Sequence, residues 1–244
     1  MTKSDSPADG LAEASAVGLD RIALLRPLSA EQRAAVARHC RWRRFAPDEQ
    51  LIDHWADTRD VAFLVEGRVR VLSHSAGGRE ISFNDIEAGE LVGEMSALDG
   101  RPRSASVVAL GEGALVAFLP AKPFQSLVTA HPELAMAMML RLCDKLRGAT
   151  DRIMELSTLG ANNRVHAELL RLAKRGSRQG ASAIIVPIPV HSDIAARVST
   201  TRETVARVLS DLTRDGLLER RPDALVVRDL SRLEMLVEDV RGGA

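Results

Sequence analysis

The sequence contains only two cysteines, Cys40 and Cys143, and neither belongs to a CxxC motif or to a Cys/His cluster. This scarcity excludes a zinc site of the usual ligand spacing and an iron–sulfur cluster held by cysteines. No apolar run approaches the roughly 18 residues that a membrane-spanning helix requires. Residues 1–20 also lack the apolar stretch of a signal peptide. We therefore expect a cytoplasmic protein without a metal ion and without membrane contact.

An excess of charge of one sign is also missing, because Lys plus Arg and Asp plus Glu both number 33 among the 244 residues. A uniformly basic scaffold is excluded, although a local basic face is not. The sequence further lacks a Ser/His/Asp arrangement, a Walker loop and any metal-ligand spacing, so we predict that it is not an enzyme. The 45% of apolar residues suffices for a buried core, and the length fits one large domain or two small ones.

The first half of the chain changes pattern twice. Residues 1–20 are small and polar, which predicts a flexible tail. Residues 21–131 begin with helical spacing, where Ser29 and Gln32 form a capping-box pattern. Over residues 43–120, short apolar runs are broken by glycines and other turn residues. This pattern predicts short strands that end at the glycines and form a compact antiparallel barrel or roll.

Helical periodicity returns in residues 132–160, where a narrow apolar stripe repeats with alternating spacings of three and four residues. Its members are Met139, Leu142, Leu146, Ala149, Ile153 and Leu156. Such a narrow stripe is typical of a helix that pairs with another helix, because a helix packed on its own domain usually shows a wider apolar face. We therefore predict a homodimer. The alternative is core packing within one chain.

Residues 161–244 carry a third pattern, in which a helix over residues 163–174 precedes a short strand. The strand candidate covers residues 184–190, and Pro187 and Pro189 should confine it to a sheet edge. Further helices are predicted over residues 192–198, 201–214 and 231–240, and strands over residues 217–219 and 225–227 form a hairpin or wing. The predicted fold class is α+β, with an N-terminal jelly-roll-like β-roll, a long dimerisation helix and a C-terminal winged helix-turn-helix.

The densest chemical signal is the segment of residues 92–110, VGEMSALDGRPRSASVVAL. It resembles the phosphate-binding cassette of cyclic-nucleotide-binding domains, whose core has a Gly-Glu pair, a short helical turn and then Arg, Ser or Ala, and Ala. The matching residues are Gly93, Glu94, Arg103, Ser104 and Ala105. The resemblance extends over residues 21–160 and implies that residues 21–131 bind a cyclic nucleotide.

The residue types of the cassette suit a ligand with one phosphate and a free ribose hydroxyl. Arg103 can donate a charge-assisted fork to the phosphate oxygens, and Ser104 adds a neutral donor. Glu94 can accept a hydrogen bond from the ribose 2′-hydroxyl, and Gly93 lets the backbone approach the ligand. Backbone N–H groups that can point at the anion belong to Met95, Ser96 and Ala105. The alternative is a surface salt bridge between Glu94 and Arg103, worth about 0–1 kcal/mol.

The identity of the base stays open between adenine and guanine. The resemblance implies that the long helix touches the purine, and it aligns Ala149 and Thr150 with two positions that are hydroxylic in cyclic-AMP-binding members. Thr150 keeps the hydroxyl, whereas Ala149 lacks it. Phe83 and Asn84 lie on a predicted strand near the base and can supply stacking and amide hydrogen bonds. Cyclic AMP is the first expectation and cyclic GMP the alternative, while Glu94 argues against a bulky dinucleotide.

Residues 192–209 carry the second signal, a pair of helices that cross at a steep angle. Apolar residues with the spacing needed for that crossing are Ile194, Ala195, Val198, Val205 and Val208. Thr200 or Thr201 can cap the second helix. The exposed N-terminal part of this helix, which would enter the major groove, carries Thr201, Arg202, Glu203, Thr204 and Arg207.

The string RETVAR resembles the recognition helix of the cyclic-AMP receptor protein branch of the catabolite-activator and fumarate–nitrate-regulator family. The resemblance implies that Arg202 and Arg207 contact guanines and Glu203 a cytosine in a palindromic TGTGA-type site of double-stranded DNA, as the chemistry of these side chains allows. Candidates for phosphate contacts are Lys174, Arg175, Arg220 and Arg221. Family analogy also makes RNA polymerase an expected partner, through the loop of residues 178–183.

Together these signals predict a homodimeric transcription regulator that responds to a cyclic nucleotide. One alternative is a regulator of the same fold with a different trigger, such as redox or haem, or with none. Another alternative is a nucleotide-binding regulatory subunit that controls an enzyme or a channel and does not act on DNA.

Overall fold

The computed structural model describes residues 18–74 and 80–241, so the predicted tail of residues 1–20 lies almost entirely outside the described residues. Within the described part, the chain divides into two units. The first unit is built mainly from residues before Lys145, and the second mainly from residues after Asp144.

A six-stranded sheet organises the first unit, with the strand order β1-β6-β3-β4, β2 paired with β6, and β5 paired with β3. Its strands are β1 (Arg41–Phe45), β2 (Gln50–Ile52), β3 (Val61–His74), β4 (Glu80–Glu87), β5 (Leu91–Val92) and β6 (Ser106–Leu119). Its helices are α1 (Ala30–His39), α2 (Glu94–Asp99) and α3 (Ala121–Ala130), preceded by two short 3₁₀ turns, Leu19–Arg21 and Ala23–Leu25. The pairs that β6 makes with β1, β2 and β3 are antiparallel.

The two central strands are longer than the sequence pattern predicts, because their glycines bend the strands instead of ending them. Both β3 and β6 contain 14 residues. Gly67 in β3 has a φ of 82°, and Gly113 in β6 has a φ of 96°. The register between the two strands shifts beside Gly67. A left-handed backbone of this kind is accessible to glycine at little cost, and the strand continues beyond the bulge in a new direction.

Apolar side chains cover both faces of the sheet. One set, which includes Phe63 and Val65, packs with Phe124 of α3 and the residues around α1. The opposite set lies inside the roll and includes Val69 and Ile86. The capping box that begins α1 is present as predicted, since the backbone N–H of Gln32 donates to Ser29 Oγ and the backbone N–H of Ser29 donates to Gln32 Oε1.

A 27-residue helix, α4 (Pro132–Thr158), begins in the first unit and ends in the second. Leu134 and Met138 are buried in the core of the first unit, and Arg141 donates to the carbonyl oxygen of Leu91 at 2.8 Å. Most of the predicted apolar stripe is exposed, with exposed fractions of 51% for Met139, 69% for Leu146, 63% for Ile153 and 42% for Leu156, while Leu142 packs partly against the core. Within a single chain, this stripe is therefore mostly uncovered. No helix among the described residues is long and apolar enough to cross a membrane.

The second unit contains four more helices and a small sheet. The elements are α5 (Ala161–Arg175), β7 (Ser177–Gln179), β8 (Ser182–Ile185), α6 (His191–Val198), α7 (Arg202–Arg214), β9 (Leu218–Arg220), β10 (Leu225–Val227) and α8 (Leu230–Arg241). The strand order is β7-β8-β10-β9. The edge position predicted for residues 184–190 is wrong, because β8 ends before Pro187 and lies between two strands. The prolines follow the strand and remove no hydrogen bond from it.

Candidate nucleotide and DNA sites

The predicted cassette begins at the end of β5, where Gly93 turns the chain into α2. Gly93 has a φ of 82° and caps the N-terminus of that helix. A Cβ atom at this position would lie 2.6 Å from Arg103 Nη1 and 3.0 Å from the carbonyl oxygen of Asp60. Glycine is therefore required both by the backbone conformation and by the close approach of these two groups. Glu94 and Ser96 in the first turn of α2 are buried.

Arg103 is buried, with 3% of its surface exposed, and its guanidinium is held by three oxygen atoms of the protein. Nη1 donates to the carbonyl oxygen of Gly93 at 3.1 Å, and Nη2 donates to that of Asp60 at 2.9 Å. Nε and Nη2 both donate to Thr58 Oγ1 at 3.3 Å. Burial lowers the pKa of Arg103, and the nearby Asp60 carboxylate opposes that shift. The guanidinium is thus oriented before any ligand arrives.

The burial of Glu94 and Arg103 rules out the alternative of a surface salt bridge between them. An arginine has five N–H donors in a fixed plane, and four are already directed at protein oxygens here. One N–H on Nη1 remains, so the predicted fork to the phosphate would require one of these hydrogen bonds to break. An anion at this point would meet a preorganised cation beside the N-terminal turn of α2, where backbone N–H groups also favour negative charge. The arrangement can therefore bind a phosphate.

The loop of residues 53–60 is part of this site, although sequence reasoning missed it. Thr58 and Asp60 supply two of the three oxygens that hold Arg103, and Arg59 Nε donates to the carbonyl oxygen of Gly100 at 2.8 Å. The loop carries no recognisable motif, and it lies more than forty positions before Arg103 in the sequence. Only the paired strands on either side of the loop bring it against the cassette.

The other predicted cassette residues lie where the short helix and the following turn leave them. Met95 and Ser104 are exposed, whereas Ala105 is buried. Ser96 Oγ donates to the carbonyl oxygen of Pro102 at 3.3 Å and closes the turn that leads to Arg103. Gln125 of α3 donates to the carbonyl oxygen of Ala97 at 2.7 Å. Two side-chain hydrogen bonds thus fix the middle of this short helix.

The residues predicted to meet the base are more widely spread. Ser82 and Ile86 of β4 are buried, and Asn84 shares their face of the strand, whereas Phe83 lies on the opposite face and is 55% exposed. Thr150 lies on the part of α4 that belongs to the second unit, where its Oγ1 donates to the carbonyl oxygen of Leu146 at 3.0 Å. The contacts of Phe83 and Thr150 with a base stay predictions.

The turn between α6 and α7 is fixed by its backbone conformation, by hydrogen bonds from α5 and by a helix cap. Ser199 has a φ of 52°, the left-handed conformation that turns the chain between the two helices. Arg164 of α5 donates to the carbonyl oxygens of Val198 at 2.8 Å and Ser199 at 3.2 Å. Thr201 caps α7, because its Oγ1 accepts a hydrogen bond from the backbone N–H of Thr204 at 3.2 Å. These contacts fix the orientation of α7 within the helix-turn-helix.

The outer face of α7 presents the polar residues that the sequence singles out. Arg202, Glu203 and Arg207 are exposed with Thr201, and Thr204 is half-buried. A hydrogen bond from its own backbone N–H lowers the pKa of the Glu203 carboxyl, and a hydrogen bond with Thr201 adds to that shift. Glu203 is therefore a hydrogen-bond acceptor beside the cation of Arg202, and an acceptor of this kind can read a cytosine next to a guanine.

The structure separates the candidates for phosphate contacts into two groups. Lys174 pairs with Glu234 at 2.9 Å, and Arg221 pairs with Glu219 at 3.1 Å. Arg175 and Arg220 form no salt bridge with the described residues and stay candidates for a phosphate contact. In the described part of the chain, no group of His, Cys, Asp and Glu could hold a metal ion. Burial raises the pKa of Cys40 to about 12, and Cys143 is an exposed free thiol.

Two family models match this chain. The cyclic nucleotide-binding domain matches residues 42–131, and the Crp-like helix-turn-helix domain matches residues 163–236. The chain is 35% identical over 193 residues to a cyclic AMP receptor protein of Thermus thermophilus, with 79% of this chain and 86% of that protein covered. It is 25% identical over 190 residues to the cAMP-activated global transcriptional regulator CRP of Escherichia coli, with 78% and 90% covered.

Solved structures show the same fold. A CooA variant from Carboxydothermus hydrogenoformans aligns with a TM-score of 0.76 at 24% identity, covering 88% of this chain and 95% of that one. The c-di-GMP responsive global regulator CLP of Xanthomonas campestris aligns with a TM-score of 0.68 at 22% identity, covering 78% and 94%. The predicted α+β fold class is confirmed. The sequence matches identify transcription regulators, not enzymes, and the chain belongs to the cyclic-AMP receptor protein and fumarate–nitrate regulator family.

Proposed function

We propose that the chain is a homodimeric, cytoplasmic transcription regulator whose DNA binding depends on a cyclic nucleotide, with cyclic AMP as the first candidate and cyclic GMP as the second. Residues 21–131 bind the nucleotide, residues 132–160 dimerise, and residues 161–244 bind DNA, while residues 1–20 form a tail. The observation that carries the proposal is the buried guanidinium of Arg103, held in the cassette by Gly93, Asp60 and Thr58.

In the proposed complex, Arg103 and Ser104 donate to the phosphate, and Glu94 accepts from the ribose 2′-hydroxyl. Backbone N–H groups of Met95, Ser96 and Ala105 add partial positive charge at the start of α2. Charge-assisted hydrogen bonds in a buried site are about twice as strong as neutral ones. This environment supports a ligand with one phosphate.

The base contacts rest on α4 and β4. Thr150 supplies a hydroxyl and Phe83 a stacking surface. Asn84 lies on the opposite face of β4, so its amide would contact the base in place of Phe83 and not together with it. The relatives from Thermus thermophilus and Escherichia coli are named for cyclic AMP, which supports adenine. Ala149 lacks the hydroxyl that the family's cyclic-AMP-binding members carry, so cyclic GMP stays a direct competitor.

A second copy of this chain is the proposed partner of the apolar stripe on α4. Exposed apolar residues that repeat with the spacing of a helix pair, such as Leu146 and Ile153, favour a parallel partner of the same kind. Leu146→Glu should give a monomer at concentrations where the parent chain is dimeric, because two carboxylates would meet at the seam. The measurement is size-exclusion chromatography with light scattering.

Met235→Glu is the matched control for this prediction. Met235 is also apolar and exposed, but it lies on α8 and not on the stripe. A parent chain that is itself monomeric, or a Leu146→Glu variant that dimerises as the parent does, would contradict the pairing.

The proposed DNA site is a palindrome of two TGTGA-like half-sites. Arg202 and Arg207 read guanines, Glu203 reads a cytosine, and Thr201 and Thr204 support the same helix end. The two copies of α7 must lie about 34–36 Å apart to enter successive major grooves. The nucleotide acts only through its different affinities for the DNA-competent and DNA-incompetent arrangements. RNA polymerase is the proposed partner on the DNA, near residues 178–183.

Parallel calorimetric titrations with cyclic AMP and cyclic GMP test the nucleotide. Tight binding of one nucleotide, at one site per chain, supports the cassette and identifies the base. Fluorescence anisotropy with a labelled TGTGA palindrome, with and without that nucleotide, tests the response. Equal DNA affinity in both conditions would refute the nucleotide dependence, and no DNA binding at low salt would favour a regulatory subunit that does not act on DNA.

A regulator of the same fold with a different trigger is the second candidate, and Ala149 is the observation that favours it. A structural relative is named as responsive to c-di-GMP, so the fold accommodates more than one effector. The same titrations with c-di-GMP separate the two candidates.

A further inference from the structure

A continuous chain of four charged side chains crosses three helices of the second unit. Arg171 of α5 donates from Nη2 to Glu155 of α4 and from Nη1 to Glu168 of α5. The other carboxylate oxygen of Glu168 accepts from Nη1 of Arg197 on α6 at 3.3 Å. The path therefore leads from the end of α4, through α5, to the first helix of the helix-turn-helix.

Three of these four charged side chains are buried, which is unusual for charged residues. Glu155, Glu168 and Arg197 are 7%, 3% and 9% exposed. Burial works to lower the pKa of Arg171, but the carboxylates of Glu168 and Glu155 outweigh it, and the pKa is raised above its ordinary value. The buried charges thus stabilise one another, and a movement of one helix against the next weakens that compensation.

The hydrogen bonds leave little freedom for gradual movement. Glu168 uses both carboxylate oxygens and Arg171 uses both terminal nitrogens, so each is committed to two partners at once. A shift of α4 against α5 would break the hydrogen bond between Arg171 and Glu155 that links the two helices. A network of this kind has discrete arrangements, made or broken, instead of a continuous range.

We propose that Glu155, Arg171, Glu168 and Arg197 form a helix latch that makes the end of α4, α5 and α6 move as one body. Since Ile194 of α6 and Val205 of α7 share one buried core, α7 follows α6. A change in the pairing of α4 then reaches the recognition helix through the latch. This inference rests on the proposed function for its DNA readout, but its structural claim does not.

Hydrogen exchange tests the structural claim without any nucleotide or DNA. Glu155→Gln removes a charge on α4 that is linked to α6 through Arg171 and Glu168. The latch predicts about tenfold faster exchange of the backbone amides of α6 in this variant, with α8 unchanged. Glu234→Gln is the matched control, because it breaks the exposed pair with Lys174 of α5. Unchanged exchange in α6 of Glu155→Gln would overturn the proposal.

DNA anisotropy then tests the coupling. We take the ratio of the DNA Kd without nucleotide to the DNA Kd with nucleotide. This ratio should be at least fivefold larger for the parent chain than for Glu155→Gln, while both proteins bind the nucleotide with equal affinity. Arg171→Lys keeps the charge but loses the planar fork, and it serves as a second variant if the first does not fold. A ratio equal to the parent's in either folded variant would refute the coupling. A parent chain with no nucleotide effect would instead refute the proposed function and leave the exchange result to judge the latch.

Discussion

The two regions that carry the proposed function use arginine in opposite ways. In the cassette, Arg103 is almost fully buried and bonded to Gly93, Asp60 and Thr58. On α7, Arg202 and Arg207 are exposed and reach into solvent. The arginine side chain is therefore held in a fixed orientation in the cassette, whereas on α7 it is exposed to solvent.

The difference reflects when each guanidinium loses its water. Arg103 is desolvated during folding, so a small anion gains its full electrostatic interaction without first displacing a hydration shell. The arginines of α7 keep their hydration until a long polyanion replaces it, and counterion release from DNA then supplies much of the binding free energy. A small effector site favours preorganisation, whereas a surface that searches DNA favours mobility.

The largest effect should come from Arg103→Ala. We expect nucleotide affinity to fall by at least about 100-fold, or about 2.7 kcal/mol, because the buried cation is the centre of the cassette. Calorimetry measures the affinity, and light scattering should show an unchanged dimer. Arg101→Ala is the control, since Arg101 lies in the same turn but its side chain is 84% exposed. Retained nucleotide affinity in Arg103→Ala would break the contrast between the two regions.

Gly93→Ala sharpens the contrast by moving the guanidinium without deleting it. The substitution places a Cβ against Arg103 Nη1 and forces alanine into a left-handed backbone, and we expect a loss of about 2–3 kcal/mol in the free energy of unfolding. Gly100→Ala has the same backbone cost, with a φ of 71°, but no atom lies within 4 Å of its Cβ. Urea denaturation should show a loss nearer 1 kcal/mol for Gly100→Ala. Equal losses would mean that the contact with Arg103 is unimportant.

Arg202→Ala tests the exposed side of the comparison. We expect a loss of about 1–3 kcal/mol in DNA binding, confined to sequences that keep one guanine of the half-site, because base contacts carry the discrimination. Anisotropy against duplexes with single substitutions measures this. A uniform loss across all duplexes would assign Arg202 to a phosphate instead. Nucleotide affinity should not change.

The smallest effect should come from Ser199→Gly. Ser199 has a left-handed backbone conformation, which is strained for a residue with a Cβ atom. Glycine removes this strain at some cost in the entropy of the unfolded chain. We expect a gain of about 0.5–1 kcal/mol in the free energy of unfolding, measured by urea denaturation. The carbonyl oxygen that accepts from Arg164 remains, so DNA affinity should stay the same. A loss of stability would show that the serine side chain stabilises the turn.

Local patterns predicted the second unit better than the first. Helix spacing and the cap at Thr201 are properties of neighbouring residues, and the predicted helices of this unit correspond to α5, α6, α7 and α8. In the first unit, glycine was interpreted as a strand end, but Gly67 and Gly113 bend strands that long-range pairing continues. Local sequence contains no information about that pairing.

In the cassette too, the local sequence identifies only some of the residues that form the site. Arg103 and Glu94 follow from a motif, but Thr58 is brought to Arg103 only by the sheet. The helix latch was also missed, because charged residues on a helix are expected to face solvent, whereas Glu168 is buried and accepts a hydrogen bond from Arg197 of α6. Motifs identify the group that meets a ligand, and tertiary structure identifies the groups that hold it.

The exposed middle of α4 has a consequence for how this chain is kept folded. Every residue from Cys143 to Asp151 is exposed in the single chain, so this stretch contributes little burial of its own. A helix without such burial is marginal in water, and a partner that covers it adds stability by mass action. For the proposed dimer, dilution separates the two copies and therefore destabilises this helix. The extent to which the middle of α4 is folded then depends on the concentration of the protein in the cell.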